Sequence, residues 1–131
     1  MRNALYVAIG AAIGGVARYL LAAFVQERAG LDFPFGTLLI NITGSFLLGF
    51  LIRITADSAA VTPEFRLLLT TGFCGGYTTF STFSYETAGQ IQRAEYGRAA
   101  LYVTGSVGLS LIGTFLGFAA ANAMLAARAG A

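Results

Sequence analysis

Histidine and lysine are missing from this chain, cysteine occurs once, and only 11% of the residues are charged. Without histidine, the commonest metal ligand and general base is unavailable. A lone Cys74 excludes an internal disulfide and a cysteine-built zinc site, and its place in an apolar block suits a small packing residue. The eight basic residues are all arginines and are scattered, so a nucleic-acid surface has no support. No nucleophile, base and metal constellation is present, which argues against an enzyme. Charge is also too scarce to cover a water-soluble domain, where about a quarter of residues are charged.

What the chain does have is apolar length. Hydrophobic residues make up 56% of it, and the mean hydropathy is +0.73. A helix needs roughly 20 apolar residues to cross a bilayer. The pattern predicts an all-α membrane protein, a single domain of four transmembrane helices at about residues 4–26, 35–53, 64–91 and 97–127. The run after Arg2 is long enough to span, so it reads as a first membrane helix rather than a cleaved signal. Gln26-Glu27-Arg28, Asp32-Phe33-Pro34, Asp57-Ser58 and Gln92-Arg93-Ala94-Glu95 mark the links. Thr62 and Pro63 suit the N-cap and first position of the third helix. Links this short make neighbouring helices antiparallel and put both termini on one side.

Orientation follows arginine counts. Arg2, Arg53, Arg66 and Arg128 fall on one side, and Arg28, Arg93 and Arg98 on the other. Four against three is almost no bias. Insertion in both directions, with an antiparallel homodimer as the working unit, is one reading; a single orientation set by other factors is the other.

The third segment carries the densest signal. Gly75-Gly76 sits near its middle, followed by a β-branched, hydroxyl-rich run that is poor helix sequence. A break at the glycines would free carbonyls that lipid cannot satisfy and that suit a hard cation such as Na⁺; alternatively the glycines allow close helix packing. Phe80, Phe83, Ser84 and Thr87 share a face, either as ring edges toward an anion path or as core aromatics. Thr37, Asn41, Ser45 and Gly49 form a stripe on the second helix, and Tyr102, Ser106, Ser110 and Thr114 one on the fourth. Such stripes are helix glue or a polar path. Gly10-x-x-x-Gly14 and Gly113-x-x-x-Gly117 read as close-approach faces. Arg18 either faces a wet vestibule or snorkels. No carboxylate falls in mid-span, Glu86 being the nearest, and the donors, arginine and ring edges favour an anion over a cation.

The stretch from Gly72 to Ser84, GFCGGYTTFSTFS, resembles the signature of the Fluc fluoride channels, the CrcB family. Pro34-x-Gly36-Thr37-Leu38-x-x-Asn41 and Gly14-Gly15-x-x-Arg18-Tyr19 are similar to that family's second- and first-helix motifs, and the resemblance covers essentially the whole chain. Tyr77 stands where the family often has leucine. The resemblance implies a dual-topology homodimer in a bacterial inner membrane, with two pores and a third helix broken near its middle. It implies a structural Na⁺ held by backbone carbonyls of Gly75 and Thr78. Fluoride would pass Asn41, Phe80 and Phe83 and hydroxyls including Ser81, Thr82, Ser110 and Thr114, with Thr37 on the same path and Arg18 in the vestibule. Passive export would confer fluoride resistance. A small multidrug exporter is the nearest alternative, but it needs a glutamate in the first helix, where this chain has Arg18. A purely structural membrane subunit is a further one.

Overall fold

A computed structural model describes residues 1–30, 33–56 and 58–130. Asp32 and Asp57, read above as link residues, lie outside the described residues. The described part is helical, with no strand: α1 (Arg2–Ala29), α2 (Phe35–Thr55), α3 (Pro63–Leu67), a wide π-helical turn (Leu68–Cys74), α4 (Gly75–Tyr77), α5 (Phe80–Gln92) and α6 (Tyr96–Ala129). Three of these, α1, α2 and α6, are single helices long and apolar enough to cross a membrane.

The ends follow local chemistry. Gly30 adopts the left-handed conformation (φ 57°) that lets its N–H cap the Gln26 carbonyl at 3.2 Å and stop α1. Thr62 Oγ1 accepts from Phe65 N at 3.2 Å, with Pro63 at the first position of α3. α5 turns into α6 through Arg93 and Ala94; Ala94 has φ 57°, and Glu95 accepts from Arg93 at 3.3 Å.

Lipid is as apolar as leucine, so the helices gain little from burying hydrocarbon and associate through close contact. Two glycine seams provide it. In the first, α1 lies on residues 63–77. A Cβ added to Gly10 would stand 2.8 Å from Phe73 N, and one on Gly14 2.9 Å from Tyr77 N. Gly72 and Gly76 answer from the other side, with Gly10 Cα at 3.0 Å and Ala11 O at 2.5 Å from their would-be Cβ atoms. In the second, α2 lies on α6, the most extensive contact between two single helices among the described residues. Gly49 faces the Thr114 carbonyl at 2.6 Å, Gly113 the Ile42 carbonyl at 3.0 Å, and Gly117 faces Phe50 N at 2.8 Å, all measured from the Cβ position. Both GxxxG stripes read from the sequence are therefore packing faces. α1 also meets α2 where Gly36 lies against Ala22.

Alanine at Gly14 has no room, because the obstacle is backbone, and a helix seam cannot open locally. Gly14→Ala should destabilise the protein by about 1–3 kcal/mol, the usual cost of overpacking. Gly97→Ala, whose Cβ would meet nothing within 4 Å, should be neutral or stabilising by up to about 1 kcal/mol through helix propensity. Thermal unfolding of the two variants in detergent, side by side, checks both.

Candidate functional site

Helical geometry ends at Tyr77 and resumes at Phe80. Between them Thr78 (φ −83°, ψ 159°) and Thr79 (φ −153°, ψ 114°) are extended. Of the two readings of Gly75-Gly76, an interruption or a close-packing face, the second holds for Gly76: both glycines are helical, and the open backbone comes two residues later. The reason is visible at each place. Gly76 is needed for packing against Ala11, which is compatible with a helix. Thr78 and Thr79 are β-branched, lose side-chain freedom in a helix and favour extended backbone.

Asn41 of α2 satisfies the opened backbone. Its Oδ1 accepts from Thr79 N at 2.9 Å, and its Nδ2 donates to Thr79 O at 3.2 Å. The Thr79 hydroxyl then serves as N-cap of α5, accepting from Thr82 N at 3.2 Å, and lies 3.1 Å from Thr82 Oγ1 and 3.3 Å from Ser81 Oγ. Thr78 donates from both its N–H and its hydroxyl to Cys74 O, at 3.0 and 2.9 Å. Asn41, Thr79, Ser81 and Thr82 are thus one hydrogen-bonded group. The side-chain amide has two N–H donors and uses one on Thr79 O, which leaves one.

Arg18 reaches the same break from α1. Its Nη1 donates to Thr78 O at 3.3 Å, so the guanidinium neither snorkels to a distant surface nor stands free. The two carbonyls assigned to Na⁺ differ in fit. Were the helix to continue, Thr79 N would bond to Gly75 O; Asn41 diverts that donor, and Gly75, which is exposed, suits a cation ligand. Thr78 O already accepts from a cation, so a metal there must use the second lone pair. Among the described residues no cluster of three or more cysteines or acids could hold a metal; a cation here would rest on backbone oxygen.

Nearly two helical turns into α5 stands Glu86. Thr37 Oγ1 donates to its Oε1 at 2.9 Å, and Tyr102 Oη of α6 donates to its Oε2 at 2.7 Å. Tyr102 is fully buried and Thr37 nearly so. Phe83 packs on Tyr102 with ring centroids 5.1 Å apart. A cavity of about 850 Å³ opens beside this group, lined by Tyr19, Thr37, Glu86, Gln90 and Arg93 among others.

The residues read from the sequence thus fall into three sets. Asn41, Thr78, Ser81, Thr82 and Arg18 meet at the break, and Thr37 and Phe83 meet Glu86 and Tyr102 next to it. Phe80 touches Phe83 (centroids 5.5 Å) but projects outward, 78% exposed against 8% for Phe83. Ser110 and Thr114 belong to neither group: Thr114 Oγ1 donates to Ser110 O within α6, and the Thr114 backbone packs on Gly49. Thr79 has no role of its own in the sequence pattern, and Glu86 and Tyr102 carry only general signals there. Glu86 is the carboxylate nearest to mid-span, and it lies three residues beyond Phe83, on the same face. Tyr102 was only the first member of a stripe.

The family model described as "CrcB-like protein, Camphor Resistance (CrcB)" matches residues 5–118. The chain is 47% identical over 122 residues to the fluoride-specific ion channel FluC of Geobacter sulfurreducens, covering 93% of this chain and 98% of that one. It is 49% identical over 117 residues to the protein of the same name from Chlorobaculum tepidum (89% and 92%), and 42% identical over 122 residues to that of Acidobacterium capsulatum (93% and 98%). This is an ion-channel family and not an enzyme family, and with its several apolar helices the chain is a multi-pass protein of the bacterial inner membrane. By the family model and by these relatives, the chain belongs to the CrcB family.

Proposed function

We propose that the chain is a fluoride channel that lowers cytoplasmic fluoride by passive electrodiffusion. In this reading residues 63–92 form a fourth, interrupted crossing beside α1, α2 and α6. The working unit is a dual-topology homodimer with two pores and a structural Na⁺ held by Gly75 and Thr78 carbonyls. The observation that carries the proposal is the group of uncharged donors around the Thr78–Thr79 break, found in a chain of this family.

The physical demand on such a pore is severe. Fluoride is small and strongly hydrated, so donors must replace water without trapping the ion. The second N–H of Asn41 and the hydroxyls of Ser81 and Thr82 are uncharged donors of that kind. Ring edges of Phe80 and Phe83 are weakly positive. Phe80 projects away from its own chain, and in a dimer it would complete the path by meeting a second copy. Thr37 and Tyr102 each have one hydroxyl hydrogen, now aimed at Glu86. That hydrogen can serve the carboxylate or a passing anion, but not both, so Glu86 acts as the resting acceptor that a fluoride ion displaces. Ser110 and Thr114 would line the path further along α6. Arg18 draws anions toward the mouth and, through Thr78, sits close to the proposed Na⁺. An inside-negative membrane potential drives the anion outward.

Purified protein in liposomes loaded with potassium fluoride should release fluoride only when valinomycin lets potassium follow. Release without any counter-ion path, or proton-coupled efflux of organic cations, would favour an exporter instead. Tyr102→Phe and Asn41→Leu should each slow fluoride release roughly tenfold or more, as expected when one or two hydrogen-bond donors worth about 1–3 kcal/mol are lost. Asn41→Leu should also remove hydrogen-exchange protection of the Thr79 amide. Replacing Na⁺ by N-methylglucamine during purification should convert dimer to monomer on size-exclusion chromatography; an unchanged dimer argues against the structural cation.

A further inference from the structure

We infer that the groove between the C-terminal end of α1 and the first turns of α2 binds an anionic phospholipid, one acyl chain in the groove and the headgroup phosphate on Arg28. The groove has a volume of about 560 Å³, and apart from Arg28 its lining is apolar, with Phe24, Phe35, Leu38, Leu39 and Ile42 the principal walls. It is laterally open: Phe24 is 51% exposed, Phe35 37% and Leu39 39%. Arg28 lies in the last turn of α1, where a membrane helix reaches the interface. Its guanidinium carbon stands 3.6 Å from the centroid of the Phe24 ring. Stacking uses the flat face of the guanidinium, and the donors along its edge remain for a phosphate.

Polarity along the groove runs in the order of a phospholipid. From Phe35 to Ile42 the wall descends about 10 Å at the helical rise, from the level of a cation into hydrocarbon. A second copy of the chain is a poorer occupant, because it has little charge to bring to Arg28. Among the described carboxylates, Glu64 pairs with Arg2, Glu95 with Arg93 and Arg98, and Glu86 with two hydroxyls. Of the described carboxylates, Glu27 alone is left for a partner's arginine. None of the groove residues belongs to the break or to the Glu86 group, so the site is separate from the proposed ion path and its test does not depend on which ion is carried.

The chain contains no tryptophan, so one introduced residue is a clean reporter. Phe35→Trp, aromatic for aromatic, places the fluorophore in the groove; Leu38→Trp is the second choice if the first folds poorly. Each full-length variant is reconstituted in phosphatidylcholine vesicles with a minor fraction of phosphatidylglycerol, with acyl-chain bromination on one lipid or the other. Brominated phosphatidylglycerol should quench as though bound about fivefold more tightly than phosphatidylcholine, the factor expected for one basic residue at an anionic contact. Arg28→Gln in the same background should bring the two lipids level. Three results would overturn the inference: equal quenching with Arg28 present, a preference that survives Arg28→Gln, or a reporter that neither lipid quenches, which would mean that protein covers the groove. A Phe115→Trp reporter on the exposed face of α6 should show no preference; an equal one there would reduce the effect to general attraction of anionic lipid and count against a site.

Discussion

Two hydrogen bonds between the Asn41 amide and the backbone of Thr79 make the rest of the site possible. Thr79 is buried, so its opened backbone has little water to turn to, and an unsatisfied buried group there would be costly. A side-chain amide is suited to the task because it carries donor and acceptor side by side and so imitates the strand partner that an extended residue would have. With Thr79 held in this way, its hydroxyl can start α5, and α5 delivers Phe83 and Glu86 to Tyr102. The Arg18 contact with Thr78 O adds a third tie from a third helix. Helices α1, α2 and α5 are therefore coupled through two non-helical residues rather than through a broad apolar core.

The glycine seams explain how such short polar side chains reach one another. Asn41 spans only two carbons beyond its Cα, so α2 and the break must come close. Gly44, one turn beyond Asn41, has the Tyr77 ring 3.0 Å from its would-be Cβ, and the Tyr77 hydroxyl lies 2.9 Å from Thr43 Oγ1. Larger residues along these faces would move the backbones apart and stretch every bond around Thr79. Packing and polar chemistry are in this sense the same constraint. The tyrosine at position 77, where leucine is common in the family resemblance, extends that contact by a hydroxyl.

Much of this was legible in the chain itself. Long uncharged runs gave away the apolar helices, since a bilayer crossing needs roughly 20 such residues, and GxxxG spacing marked both seams. Asn41, Ser81 and Thr82 were found through the polar stripe and the family-like motif. Other features were hidden for physical reasons. Composition leaves a break and a packing face open at Gly75-Gly76, because glycine serves both; the contact of Gly76 with Ala11 decides for packing, and the β-branched pair yields instead. The partners of Glu86 were hidden because spacing along one helix does not say which hydroxyls of other helices will meet it. Phe80 and Phe83, three residues apart on one face, part company: one is buried on Tyr102 and one is exposed. Periodicity assigns a face to a helix and says nothing about how far a neighbouring helix covers it.

The wide turn at Leu68–Cys74 lies immediately upstream of the break. A π-turn holds one more residue than an α-turn over nearly the same rise, and a single residue corresponds to about 100° of rotation about a helix axis. The segment therefore acts as a phase adjuster: it fixes the angle at which Thr79 arrives opposite Asn41. Adding or removing one residue there would leave hydropathy and helix content almost untouched, yet swing every downstream side chain away from its partner, so the spacing between Thr62 and Thr79 is as much a part of the machinery as the residues themselves.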